Sequence, residues 1–216
     1  MEREEGWGAA AAEAQPGHRA LLPWEDPELS ALVGLVRTLR EVLLRPGEFF
    51  TNLGGEGWAE PLAFGLIASS LGLLGAFFWL LLVRAPAGLS PGWLVALMAG
   101  APVLALANLG IGGICWWGSV ALMGAGRDFT PTWRIFCYAQ GGMALGLIPF
   151  FGMPVAGIWV LALMYCGVKQ VYGISTGGSF GALVVFLALQ AALALIFLLG
   201  LAGALTFLGF LVLLLG

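Results

Sequence analysis

The sequence predicts an all-α fold: a polytopic membrane helical bundle of five transmembrane helices preceded by an amphipathic interfacial helix. Three observations carry this. The chain of 216 residues is 60% hydrophobic and only 10% charged, too apolar for a water-soluble globular domain. Beyond Glu60 its charged residues reduce to Arg84, Arg127, Asp128, Arg134 and Lys169. Between them lie apolar runs long enough, at about 1.5 Å per residue, to cross most of a hydrocarbon core about 30 Å thick.

Residues 1–20 are rich in Ala, Gly and Glu and lack an apolar period, which predicts a disordered cytoplasmic tail. His18, the single histidine, lies there with no ligating neighbours. The first apolar run begins too far from Met1 for a cleaved signal peptide.

Residues 21–60 read as a cytoplasmic and interfacial segment. Asp26 is a good N-cap, Pro27 suits the first helical position and Pro46 ends the run, which predicts a helix over Pro27–Arg45. At 100° per residue, Leu29, Leu32, Val33, Leu35, Val36, Leu39, Val42 and Leu43 share one half of its wheel. Such a helix lies in the membrane interface or docks on the spans. Arg40 falls within the apolar half, where it either snorkels to headgroup level or pairs with a partner or a lipid phosphate. Trp24 is the other expected interface contact of this segment. Pro46 to Leu53 reads as a turn or short helix, and Gly54-Gly-Glu-Gly57 as a break. Trp58 and Pro61 mark where the chain meets the membrane.

Residues 61–216 then carry the spans, at about 61–83, 93–123, 133–149, 154–172 and 179–215. The second is long for one crossing and holds Pro102 and several glycines, so it is expected to kink or protrude. The third and fourth form a hairpin around the corner Pro149-Phe-Phe-Gly-Met-Pro154. Its two charges, Arg134 and Lys169, fall at the same membrane face, where they are expected to snorkel into headgroups. The last run would be about 55 Å long as one helix, beyond the hydrocarbon core. No polar turn divides it, so one long helix is preferred and six spans is the rival count.

Orientation follows from the cations. With the N-terminus inside, eight of the nine basic residues lie on inner segments and Arg84 alone lies outside. Five spans then put the C-terminus outside. Gly142-x-x-x-Gly146 and similar small pairs allow close helix approach, within the chain or at a homodimer seam.

The residues exclude several chemistries. There is no HExxH, P-loop or GxSxG, and no paired intramembrane carboxylates, so no catalytic site is expected. No basic face with interleaved aromatics offers itself to nucleic acid. Cys115, Cys137 and Cys166 sit apart within apolar runs, against a disulfide framework or a zinc site, and no cofactor or metal is expected. No ionisable residue lies deep in a span, which weakens ion-driven transport. Asn108, Gln140 and Gln190 are the costly polar residues to bury and are expected to face the bundle interior.

The Pro23-Trp24-Glu25 start, the amphipathic helix and the Arg45-Pro-Gly-Glu-Phe-Phe50 ending resemble the Yip-domain family, the Ypt/Rab-interacting membrane proteins and their bacterial relatives. The resemblance continues through Thr132-Trp-Arg134, Tyr138-Ala139, Ile148-Pro149, Gly152, Ile158-Trp159, Gly167 and Gly173-Ile-Ser175, and covers roughly residues 21 to 190. Each piece is degenerate; their order and spacing are more specific. Where relatives often carry a histidine before the loop at Gly124, this chain has Trp116-Trp117. The resemblance implies five spans, a cytoplasmic N-terminus and no catalysis. Eukaryotic members are implicated in vesicle traffic with small GTPases. The absence of an N-x-S/T acceptor and of a eukaryotic sorting signal points instead to a bacterial inner-membrane member, without that GTPase partnership.

The sequence therefore reads as a non-enzymatic membrane adaptor, scaffold or bilayer-organising factor. Its partners would be the lipid bilayer and a homo-oligomer or another membrane protein. The alternative is a small permease or transporter subunit with a polar path near Asn108, Gln140 and Gln190. A cavity lined by those three favours transport; a closed bundle with an exposed amphipathic helix favours the adaptor.

Overall fold

A computed structural model describes residues 21–84, 91–125 and 128–215. The tail at 1–20 with His18, and Arg127 in the loop before the hairpin, lie outside the described residues. The described chain is helical, with no strand among those residues. The helices are α1 (Ala31–Leu44), α2 (Pro46–Thr51), α3 (Ala59–Arg84), α4 (Pro91–Leu122), α5 (Phe129–Ala139), α6 (Gly152–Tyr172) and α7 (Thr176–Leu215), with a 3-10 segment over Gln140–Leu147.

Four of these helices are long and apolar enough to cross a membrane: Ala59–Val83, Val95–Leu122, Gly152–Tyr172 and Thr176–Leu208. Helix α4 continues through Pro102, and α7 runs unbroken for 40 residues, about 60 Å. The expected third span is not one helix. It divides at Gln140 into the 11 residues of α5 and the eight of the 3-10 segment. A 3-10 run of that length is uncommon, because its hydrogen-bond geometry is poorer than that of an α-helix.

Close backbone approach explains what holds this segment. A Cβ on Gly146 would lie 2.8 Å from the carbonyl oxygen of Gly72 in α3, and one on Gly142 would lie 3.1 Å from the backbone nitrogen of Val160 in α6. The Gly142-x-x-x-Gly146 pair is thus used within the chain, with backbone against backbone on both sides. The indole of Trp79 donates to the Leu147 carbonyl at 2.9 Å and closes the far end of the segment. The corner that follows is tight. The Phe151 N–H donates to the Pro149 carbonyl at 2.6 Å, and Phe150 between them takes φ 62°. Pro154 falls in the first turn of α6, where a proline costs no helical hydrogen bond.

The N-terminal helix begins later than expected. It starts at Ala31, after Ser30, and not at Pro27. The Asp26 carboxylate accepts the Glu28 N–H at 2.9 Å, and the Glu25 N–H donates to the Leu22 carbonyl at 2.8 Å. These two turns compete with helix over residues 22–28 and aim Trp24 and Glu25 at the bundle. Only part of the apolar half of the wheel faces inward: Leu35, Leu39 and Val42 pack on the core, while Leu32, Val33 and Val36 are exposed. The buried positions of α1 are Gly34, Thr38 and Val42. A Cβ on Gly34 would lie 2.6 Å from the Pro23 carbonyl, so this face accepts backbone where larger side chains would not fit.

The ends of the helices can be matched by contact. Trp133 at the start of α5 donates to the Trp58 carbonyl before α3 at 3.2 Å. Thr132 and Tyr172, at the start of α5 and the end of α6, share a hydroxyl hydrogen bond of 2.7 Å. Trp117 near the end of α4 meets the ring of Phe129 edge-on at 6.1 Å. One face of the bundle therefore collects the N-terminal ends of α3 and α5 and the C-terminal ends of α4 and α6.

Candidate functional site

Two polar places stand out in this apolar bundle. The first is a knot near that shared end. Arg134, on the second turn of α5, is 2% exposed. Its Nη2 donates to Oε1 of Glu25 at 2.6 Å, and its Nη1 donates to the Gly57 carbonyl at 2.8 Å. The hydroxyl of Tyr138, one turn further along α5, donates to the same Glu25 oxygen. Aromatic rings close the knot: Tyr138 meets Phe49 at 5.3 Å and Phe64 at 5.1 Å, and Trp24 meets Phe64 edge-on at 6.1 Å. Trp24 also donates its indole N–H to the Glu60 carbonyl at 2.7 Å.

This corrects one expectation: Arg134 does not reach for headgroups. Trp24 is half-buried, with its polar end taken by protein. A guanidinium inside apolar surroundings needs a carboxylate, and the turns at residues 22–28 deliver one while carrying Trp24 in beside it. Glu25 and Tyr138 are the partners that sequence reasoning missed. The signal was present as a cation inside an apolar run, which demands a counter-ion from elsewhere. The sequence segments around Trp24-Glu25, Phe49-Phe50, Arg134 and Tyr138 converge here, and Phe50 continues the cluster against Gly167 of α6.

Lys169 and Arg40 behave otherwise. Lys169 is exposed near the end of α6, with its ammonium 5.9 Å from the centroid of the Tyr165 ring. Arg40 is exposed on α1 and borders a groove with Arg37, Glu41, Leu44 and Arg45.

The second place is a cavity of about 500 Å³ between α3, α4, the α5 junction, α6 and α7. Asn108, Gln140 and Gln190 all line it, together with Ser69. Gln140 is 2% exposed, and its Oε1 accepts the Ser69 hydroxyl at 3.4 Å. Asn108 is exposed and Gln190 half-buried, against the expectation that all three face the bundle interior. The remaining walls are apolar, among them Leu73, Phe136, Met143 and Met164. Counted from the shared end at about 1.5 Å per residue, the polar groups lie about 15–21 Å deep.

The cysteines are free, with Cys115 and Cys137 buried and Cys166 half-buried. Among the described residues no group of three or more His, Cys, Asp and Glu side chains is placed to hold a metal.

Comparison with known families matches residues 40–199 to the family model described as the Yip1 domain. No curated protein and no solved structure matches the chain.

Proposed function

The chain belongs to the Yip1 domain family and is an integral membrane protein in contact with the lipid bilayer; from that premise we propose that it is a non-enzymatic adaptor, scaffold or bilayer-organising factor. One observation carries this reading. Helix α1 is fastened to the bundle through Gly34, Thr38 and Val42, yet it turns large aliphatic side chains outward: Leu32 and Leu44 are each 71% exposed. Arg37 and Arg40 stand beside them. A helix with one face on protein, Leu32 and Val36 on one flank, and Arg40 and Arg37 interleaved with Val33 and Leu44 on the other suits the headgroup boundary, with Leu32 and Val36 toward hydrocarbon and the arginines snorkelling toward phosphates and water. It forms a platform along the membrane that a partner, whether a second copy or another membrane protein, can read.

In this reading the tail is cytoplasmic, residues 21–60 are interfacial, and residues 61–216 form a five-crossing domain with the N-terminus inside and the C-terminus outside. The membrane is the bacterial cytoplasmic one. Spin labels placed singly along residues 31–44 test the platform. Labels at 32 and 36 should be accessible to dissolved oxygen, those at 37 and 41 to an aqueous relaxer, and those at 38 and 42 to neither. Uniform access by the aqueous relaxer would refute it.

A second reading, a small permease or transporter subunit, has its own support in the cavity that joins Asn108, Gln140 and Gln190. A correctly inserted Gln140→Leu protein of undiminished stability that has lost its cellular phenotype would favour it over the adaptor.

A further inference from the structure

We propose that the amide-lined cavity is a binding site for one uncharged, membrane-resident amphiphile, a molecule of diacylglycerol type with a hydrocarbon body and carbonyl and hydroxyl groups at one end. The inference deepens the permease reading, but it requires only that the chain hold this molecule and not that it move it.

The hydrogen-bonding groups point to such a ligand. Gln140 is buried, and its one side-chain hydrogen bond is to Ser69. Whichever way that amide is turned, its other end has no partner among the described residues. Asn108 and Gln190 make no side-chain hydrogen bond to the described protein. Each primary amide brings two donors and an acceptor, and hydrocarbon satisfies none of them. Three such groups around one space of about 500 Å³ call for a guest that offers several acceptors and a hydroxyl donor. The volume lies within the range of small-molecule sites, about 300–1,000 Å³, and suits the glyceryl ester end and the first part of the chains, the rest of which would extend into the bilayer.

The walls exclude other guests. Among the described residues no Arg, Lys, His, Asp or Glu lines the cavity, so an ionised headgroup would be buried there without a counter-charge from them. The apolar walls suit acyl chains. The route of access is lateral: Leu104 and Asn108 on α4 and Leu187 on α7 line the cavity and are also exposed on the outside of the bundle. An opening on this exposed side of α4 and α7 would face hydrocarbon at that depth, which a neutral lipid can traverse and a sugar or ion cannot.

The test is photolabelling of the purified full chain in nanodiscs. The probes are a diacylglycerol with a diazirine on one acyl chain, a phosphatidic acid with the same chain and an alkane with the same diazirine. Labelled residues are mapped by mass spectrometry. The diacylglycerol should label α4 and α7 around Leu104 and Leu187, and excess unlabelled diacylglycerol should compete. Gln190→Leu removes an amide that bonds nothing in the protein, so its melting temperature should not fall. Its labelling should drop about five-fold, as expected for one lost hydrogen bond. Gln140→Leu should lose at least as much. No competed labelling of these helices, equal labelling by the alkane, equal labelling by phosphatidic acid, or wild-type labelling of a folded Gln190→Leu protein would each overturn the proposal. A flux measurement on the same nanodisc lipids bears on the permease reading alone; binding without flux refutes transport and leaves the site standing.

Discussion

Glu25 and Arg134 are 109 residues apart in the chain and meet at 2.6 Å inside the bundle. The pair ties the segment before α1 to the start of α5, and Tyr138 donates to the same carboxylate oxygen. Its two side chains are 12% and 2% exposed, so neither charge is screened by water. Removing one partner of a buried pair leaves the other uncompensated, which typically costs about 3–5 kcal/mol. Glu25→Ala should therefore lower the unfolding free energy in micelles by about that amount. Arg134→Lys should fail to rescue, because a single ammonium cannot hold both Glu25 and the Gly57 carbonyl as the forked guanidinium does. The double variant Glu25→Gln, Arg134→Met should recover part of the loss. Full stability in Glu25→Ala would show that the pair does not hold the segment down.

The contact between α3 and the 3-10 segment makes a second prediction. A methyl on Gly146 would sit 2.8 Å from the Gly72 carbonyl oxygen, backbone that cannot swing aside. Gly146→Ala should cost about 1–3 kcal/mol through overpacking. Gly110→Ala, on α4 with nothing within 4 Å of the new methyl, is the control and should be neutral or stabilising by up to about 1 kcal/mol. Equal effects in thermal melts of the two variants would mean that the close approach does not matter.

The corner supplies a third. Phe150 holds φ 62°, a region that costs an L-residue about 1–2 kcal/mol, and its side chain is 71% exposed. Phe150→Gly relieves the strain and loses a tilted contact with Trp79, whose ring centroid is 6.2 Å away. Because glycine also loses more backbone entropy on folding, the net gain should be at most about 1 kcal/mol. A loss of more than that on denaturation would assign the stability of the corner to the aromatic contact.

These sites differ in how far the sequence reveals them. The long apolar helices were legible because hydropathy in lipid acts on whole runs, and the family was legible in short pieces whose order spans the chain. The pair Glu25–Arg134 was not, because a counter-ion can come from any distance and sequence neighbours do not disclose it. The start of α1 was misread because Asp26 caps a turn as readily as a helix, and only the need to bring Trp24 and Glu25 to the bundle selects the turn. Asn108, Gln140 and Gln190 were legible as a set because burying an amide is costly wherever it happens. Their meeting around one cavity depended on helix rotation, which a run with almost no amphipathic signal does not encode. The break at Gln140 was hidden for a related reason: hydropathy does not distinguish an α-helix from a 3-10 helix.

That break bears on topology, and with it comes the last prediction. Four helices are each long enough to cross, and an even number of crossings would return the C-terminus to the side of the N-terminus. The hairpin decides the count. At about 1.5 Å per α-helical and 2.0 Å per 3-10 residue, α5 and the segment Gln140–Leu147 together rise about 32 Å, against a hydrocarbon core of about 30 Å. The composite thus has the reach of a full crossing. Contacts agree, since its start meets Trp58 at the head of α3 while its end meets Trp79 near the tail of α3. It runs alongside a helix that itself crosses. The backbone groups of the 3-10 segment are tolerable at membrane depth because α3 and α6 cover them at close range. With that composite counted as a crossing, five crossings would separate the termini, and the excess of basic residues on one set of segments predicts an inside N-terminus. Reporter fusions after Gly126 and Gly177 should read cytoplasmic, and fusions after Gly88 and Gly216 should read external. A cytoplasmic reading after both Gly177 and Gly216 with an external one after Gly88 would mean that α7, about 60 Å long as a single helix, folds back as two spans, whereas an external reading after Gly177 would mean that the first arm of the hairpin does not cross.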